Sequence, residues 1–351
     1  MTGPSARRSL RFTAPRRVEV AEDEIPRPSS GELLVETIVS AISPGTELLT
    51  YRDEVPAGMQ PDGAPKPPVD PPAGAQPYAS AEHPGGSAFP VKHGYSAIGR
   101  VTETGPGVSR DWSDSIVFCL HPHESHFLAR PQDLAPVPDG VHTEDAAMFA
   151  NFETAVTLVM DGRPMIGERV AILGQGVVGL LTTALLAEFP LAGLVSFDLH
   201  PLRRRLSREL GSHEAIDPAE GLAAHQQTYD LVYELSGSPQ VLDQAIALTR
   251  FNGRVVIGSW YGERRAPIDL GGAFHRSRIA ILSSQVSTID PALSGRWNPE
   301  RRRQATWSML SRVQPQRIVT HRFPLAAAPD AYDLLDRHPD EAVQVLLTYG
   351  A

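Results

Sequence analysis

A single cysteine, Cys119, stands in a chain of 351 residues. One thiol excludes every intrachain disulfide and every metal site that needs two or more thiolates. No apolar run reaches membrane-spanning length, and the basic opening stretch Met1–Arg17 lacks the apolar core of a secretory signal. Positive charge is in short supply as well: 32 Lys and Arg face 41 Asp and Glu, a formal net charge of −9. Such a surface repels polyphosphates unless basic groups gather locally, so neither nucleic acid nor a membrane is an expected partner. A cytoplasmic location is the expectation. What is present, 41% hydrophobic and 21% charged residues, matches an ordinary globular protein, and the length suits two domains.

The first third predicts short strands, Glu32–Ala41, Tyr95–Thr104 and Ser115–Leu120, punctuated by Pro and Gly as in an antiparallel, barrel-like unit. Between Val55 and Pro90 the chain is crowded with Pro, Gly and Ala and reads as a surface excursion. From Arg169 the texture becomes an alternation of strand and helix: Arg169–Leu173, a helix to Phe189, Leu194–Asp198, a helix Leu202–Leu210, then Asp230–Leu235. This is the rhythm of a parallel sheet. Asn252-Gly253 predicts a turn into a strand at Arg254–Gly258, and Gly211 a left-handed helix cap. A further β-like run, Ile279–Val286, precedes a helix at Pro299–Arg312 and returning strands at Arg317–Phe323 and Val343–Thr348.

Gly174-Gln175-Gly176-Val177-Val178-Gly179 follows an apolar strand and opens an apolar helix, the context that makes a glycine pattern informative. In a dinucleotide fingerprint Gly174 makes the tight turn, Gly176 lets a pyrophosphate approach the backbone, and Gly179 packs helix on strand. Asp198 ends the next strand nineteen residues after Gly179, where its carboxylate can accept both hydroxyls of an adenosine ribose and repel a 2′-phosphate. Arg203, Arg204 and Arg205 pull the other way, because a guanidinium there can bind that phosphate. NAD is the expected cofactor, with NADP left open. Ser236-Gly237 and Gly258-Ser259 fall at the carboxyl ends of two further strands, on the rim where ligands of such sheets bind.

Together, Ser43-Pro44-Gly45-Thr46-Glu47, Gly94-Tyr95-Ser96-Ala97-Ile98-Gly99, Gly167-Glu168-Arg169-Val170, the fingerprint, and Asp198 with Arg203 resemble the medium-chain dehydrogenase/reductase superfamily. The resemblance covers nearly the whole chain. It implies an α/β protein with a Rossmann doubly wound parallel sheet plus a GroES-like β-barrel catalytic domain. The domains would be 1–148 (catalytic), 149–292 (NAD-binding) and 293–351, a segment returning to the catalytic domain. Zinc alcohol dehydrogenases of this superfamily carry Cys-Gly-(Ser/Thr)-Asp and Gly-His-Glu at the first two sites; Pro44 and Tyr95 occupy those ligand positions here. Neither is a competent tetrahedral zinc ligand, so the chain looks like a zinc-free branch with no metal site. The Ile-Ser-Pro-Gly-Thr-Glu segment is also similar to bacteriochlorophyllide dehydrogenases.

Hydride transfer to a carbonyl builds negative charge on oxygen, and without zinc a hydroxyl or acid must stabilise it. Thr46 matches the superfamily's hydroxyl proton-relay position and equally suits a turn cap. Tyr95 is either an oxyanion donor or a packing aromatic, and Glu153 either an acid/base group or a helix-start carboxylate. His121, His123 and His126 offer an alternative metal cluster or, more plainly, surface or pocket-lining imidazoles. The expected activity is zinc-independent NAD(H)-dependent oxidation and reduction of an alcohol/carbonyl small molecule. The alternatives are a zinc-free quinone or enone reductase and a non-catalytic dinucleotide-binding protein. The resemblance also implies a homodimer, with Ile279–Val286 as the pairing edge strand.

Overall fold

The computed structural model describes residues 6–55 and 89–350. The excursion between Val55 and Pro90 lies outside the described residues except at its ends. The N-terminal part runs β1 (Arg7–Ala14), β2 (Arg17–Asp23), β3 (Leu33–Ala41), α1 (Pro44–Arg52), β4 (Ala97–Thr104), β5 (Ile116–Cys119), β6 (His126–Ala129) and β7 (Leu134–Pro136). Along β4, Gly99 and Val101 are buried while Arg100 and Thr102 face out, the period-two pattern of a sheet with one wet face. Gly99 is a glycine for a steric reason: a Cβ there would lie 2.4 Å from Val35 Cγ1 and 2.7 Å from the Glu36 carbonyl.

Next come α2 (Phe149–Gly162), β8 (Arg169–Leu173), α3 (Val177–Leu186), β9 (Gly193–Phe197), α4 (Pro201–Glu209), β10 (Glu214–Ile216), β11 (Tyr229–Glu234), α5 (Leu242–Leu248), β12 (Thr249–Ile257) and β13 (Ala280–Ser283). The six strands form one sheet in the order β10-β9-β8-β11-β12-β13, with every pair parallel. Counted from β8, that is the 3-2-1-4-5-6 order of a doubly wound dinucleotide-binding sheet. Val170–Leu173, Leu231–Tyr233 and Val255–Val256 are buried, as continuous apolar runs must be when both faces of a sheet are covered.

Two local expectations are corrected. Asn252-Gly253 does not precede a strand but lies inside β12, where Asn252 adopts φ 58° and the pairing with β11 shifts register. The run from Ile279 to Val286 pairs only over Ala280–Ser283, with the Ser284 amide on the Ile257 carbonyl as the last rung before the chain turns away.

The chain ends with α6 (Pro299–Val313), β14 (Val319–Pro324), α7 (Ala328–Arg337) and β15 (Gln344–Thr348). The strand expected from Arg317 starts at Val319, since Pro315–Ile318 is a tight helical turn. β14 and β15 join the N-terminal strands in the order β14-β15-β3-β4-β5-β7, with β6 also on β3. Phe12, Tyr51, Leu325, Tyr332 and Leu347 pack into one core of this β-rich unit. The compact units are Met1–Ala150 with Leu310–Ala351, and Asn151–Met309. The returning segment thus begins at Leu310 rather than at 293. Arg302 on the first half of α6 is tied to Glu153 and Thr157 of α2, which keeps that half with the Rossmann sheet.

Candidate active site

The glycine bend after β8 is built from three different steric demands. Gly174 has φ +94°, and a Cβ on it would lie 2.5 Å from Ser236 Cα and 2.6 Å from the Leu235 carbonyl carbon. A Cβ on Gly179 would lie 2.1 Å from the Gly174 oxygen, so α3 sits directly on the bend. Gly176, the N-cap of α3, has nothing within 4 Å of that position and leaves its backbone open. No side chain caps this helix end and no acid occupies its first turn, so the amides of Val177 and Val178 present an electropositive mouth suited to a diphosphate. Gln175 is fully buried. Its amide donates to Asp198 Oδ2 at 2.7 Å, and its buried side chain faces inward, donating to the Gly174 carbonyl and accepting from Thr183.

Asp198 is held by two amides, Gln175 N on Oδ2 and His200 N on Oδ1 at 2.8 Å. A carboxylate has about four acceptor sites, so the pair of oxygens keeps capacity for a ribose diol. Of the three arginines only Arg205 faces solvent, in an exposed pairing with Glu209. Arg204 is drawn in by the Asp198 and Leu199 carbonyls and Asp217, all 2.8–2.9 Å away. Arg203 stands half-buried on the first turn of α4. On the rim, Gly237 N donates to Ser259 Oγ at 2.8 Å. Gly258 was expected to leave room for a ligand; a Cβ there would instead meet Leu158 and Leu235 at 2.6 Å, so it serves close packing.

In the β-rich unit, Ser43 and Pro44 are the N-cap and first residue of α1, a position where proline's missing N–H costs nothing. Tyr95 lies against this helix start: its phenol donates to Ser43 Oγ and is also hydrogen-bonded by Thr46. Burial pushes the phenol up to about 12, the Glu47 charge adds to the rise, and Ser43 and Thr46 offset part of it. Tyr95 is therefore a protonated donor at neutral pH, and Thr46 stands half-buried beside it.

Behind this pair lies a buried network that sequence reading missed. Glu47 takes the Ser43 amide on Oε1 at 2.7 Å and the Tyr332 hydroxyl on Oε2, with His123 Nε2 at 3.1 Å from Oε2. His123 Nδ1 is 2.7 Å from Ser40 Oγ, which is 2.7 Å from Tyr349 Oη. Glu47 and His123 are both wholly buried. Gly94, at φ +106°, is where the imidazole passes: a Cβ would lie 2.5 Å from its ring. The one usable signal was an acid directly after Thr46, followed by Leu48 and Leu49.

The three histidines do not converge. His121 stacks on Phe127 with centroids 4.0 Å apart, His123 belongs to Glu47, and His126 meets Ser125. Nor are they surface groups, since His123 and His126 are buried, and burial holds His121 and His126 below the ordinary imidazole range. Glu153 lies within α2, not at its start, and its Oε1 accepts from buried Arg302 at 3.1 Å, which makes it an anchor for α6. The residues present do not suit a zinc ion. Pro44 has no donor, and Tyr95 keeps its proton. The buried Cys119 thiol, pushed up to about 12 by burial and by Asp133, donates to the Asp133 carbonyl. Among the described residues no group of three or more His, Cys, Asp or Glu is arranged to hold a metal.

Residues 177–298 match the family model described as zinc-binding dehydrogenase, a stretch that covers α3 onward and neither Pro44 nor Tyr95. Over 97% of both chains the sequence is 23% identical to 2-desacetyl-2-hydroxyethyl bacteriochlorophyllide A dehydrogenase of Cereibacter sphaeroides. It is 21% identical to the starvation-sensing protein RspB of Escherichia coli, over 98% of this chain and 99% of that one. A crystal structure of an alcohol dehydrogenase (rspB) from E. coli CFT073 with NADH superposes with a TM-score of 0.76 at 18% identity, covering 99% of this chain and 100% of the other. Another of the same TM-score, a zinc-binding dehydrogenase from Sinorhizobium meliloti at 19% identity, covers 98% and 100% and holds NADP. These matches support the resemblance to the medium-chain dehydrogenase/reductase superfamily. The superfamily similarity runs the length of the chain, beyond the Ser43–Glu47 segment. It supports an NAD(P)-dependent dehydrogenase or reductase with a nicotinamide cofactor. No helix among the described residues is long and apolar enough to cross a membrane.

Proposed function

We propose that the protein transfers hydride between NAD(H) and an alcohol or carbonyl compound without zinc, with Tyr95 and Thr46 polarising the reacting oxygen. The observation that carries this reading is the protonated phenol of Tyr95, hydrogen-bonded to Ser43 and Thr46 where the resemblance locates a zinc ligand. A bound nicotinamide supplies or accepts the hydride. The residues of the chain do the rest: the open amides at the start of α3 hold the diphosphate, Asp198 takes the ribose, and the phenol donates to developing oxyanion charge. The unspent acceptor capacity of Asp198, and Arg204 being occupied by Asp217, favour NAD over NADP.

Turnover followed at the nicotinamide absorbance should be unchanged by prior chelation. Tyr95→Phe should lower kcat by about a hundredfold with little effect on KM, as removal of an oxyanion donor does. Activity abolished by the chelator and restored by added zinc would reject the reading. A cytoplasmic location goes with it and is checked by cell fractionation.

We also propose a homodimer. β13 is an edge strand whose Leu282 is 38% exposed, a liability that pairing with the same strand of a second copy would remove. Light scattering should give twice the chain mass of 38.0 kDa, and a single-chain mass at micromolar concentration would contradict it.

A further inference from the structure

We infer that Glu234 is a positioning residue whose buried carboxylate fastens the turns after β11 and β12 into one floor under the nicotinamide half of the dinucleotide. This rests on the cofactor reading above.

Glu234 ends β11 and is wholly buried. Its Oε1 accepts from Ser236 N at 2.8 Å and from the Ser236 hydroxyl, and its Oε2 accepts from the Tyr261 hydroxyl. The second turn is also bound to its main chain, since Ser259 Oγ is 3.3 Å from the Glu234 carbonyl and receives the Gly237 amide. Ser236 Oγ in turn takes the Ser238 amide at 3.1 Å. Burial and the adjacent carboxylate both hold the Tyr261 phenol above its ordinary range, so it remains a donor.

The location of the donors separates this from ordinary core packing. The other buried residues of β11, Tyr229, Leu231, Val232 and Tyr233, are apolar or aromatic, and burying a carboxylate among them is costly unless it is fully hydrogen-bonded. The side-chain bonds of Glu234 go to the two rim turns and to neither the sheet nor the helices. The first of those turns also backs the glycine bend, because Gly174 rests on the Leu235–Ser236 backbone. In a sheet of this order the diphosphate lies at the bend after β8 and the adenosine lies over β9, at Asp198. The other half of the ligand therefore extends over β11 and β12, onto the turns that Glu234 joins.

The test compares NADH with ADP-ribose, which lacks only the nicotinamide, by titration calorimetry on the full chain. In Glu234→Gln the Kd for NADH should rise about tenfold while that for ADP-ribose stays within about twofold of wild type. Tyr261→Phe, which keeps the carboxylate and removes one donor, should shift the same way by a smaller factor and decides the matter alone if Glu234→Gln does not fold. Equal weakening of both ligands would mean a merely structural role and overturn the inference, as would unchanged NADH affinity. Wild-type protein that binds neither ligand would overturn the cofactor reading and this inference with it.

Discussion

Glu47→Ala is expected to destabilise the β-rich unit by about 3–5 kcal/mol, the usual cost of removing one member of a buried pair. Glu47 is the common acceptor for Ser43 N, Tyr332 and His123, and its loss leaves those buried donors without that acceptor. Thermal unfolding followed by circular dichroism should show the fall. The pH dependence has a definite sign. Burial, the largest single influence, raises the Glu47 carboxyl, but His123, His93 and the Tyr332 hydroxyl together outweigh it, and the folded value lies below the ordinary 4.5. A carboxyl depressed in the folded state contributes its full stabilisation above 4.5, and this is lost as pH falls through the folded value. Glu47→Gln should therefore flatten the acid side of the stability profile below about 4.5, besides lowering the Tm. An acid limb identical to wild type would show that the pair carries no linkage.

Gly179→Ala is expected to weaken dinucleotide binding by at least about a hundredfold, roughly 3 kcal/mol. The added Cβ would lie 2.1 Å from the Gly174 carbonyl oxygen, a backbone atom that also receives the Gln175 side chain. Relief requires moving either α3 or the bend, the two elements whose amides hold the diphosphate in the proposed site. Gly176→Ala is the informative companion. Nothing lies within 4 Å of the new methyl and the backbone there has an ordinary φ of −68°, so stability should hold. Affinity should nevertheless fall, because the methyl stands where the ligand approaches. Retention of wild-type affinity in both variants would place the diphosphate elsewhere.

What could be read from the sequence was what local chemistry decides. The strand and helix rhythm from Arg169, the bend at Gly174 and the cap at Gly211 all depend on residues close together in the chain, and the structure has positive φ at both glycines. The Ser43–Glu47 and Gly94–Tyr95 segments were legible as a pair, and the structure brings Thr46 and Tyr95 together. The partners of buried charges were not legible. Glu47 and His123 are 76 residues apart, and Glu153 meets Arg302 across 149, so no periodicity announces either pair. A rim glycine misled: Gly258 is small because Leu158 and Leu235 press on it, which a one-dimensional pattern cannot distinguish from room left for a ligand.

The β-rich unit is assembled from both ends of the chain, with β15 between β14 and β3, while the Rossmann unit is one uninterrupted stretch. During vectorial synthesis the Rossmann sheet can close while the ribosome is still translating the last forty residues of the sequence. Until Tyr332 and Tyr349 emerge, Glu47 lacks its Tyr332 donor, and Ser40, the hydroxyl beside His123, lacks its Tyr349 partner. A nascent chain should therefore acquire its nucleotide grip before the half that carries Tyr95 can consolidate.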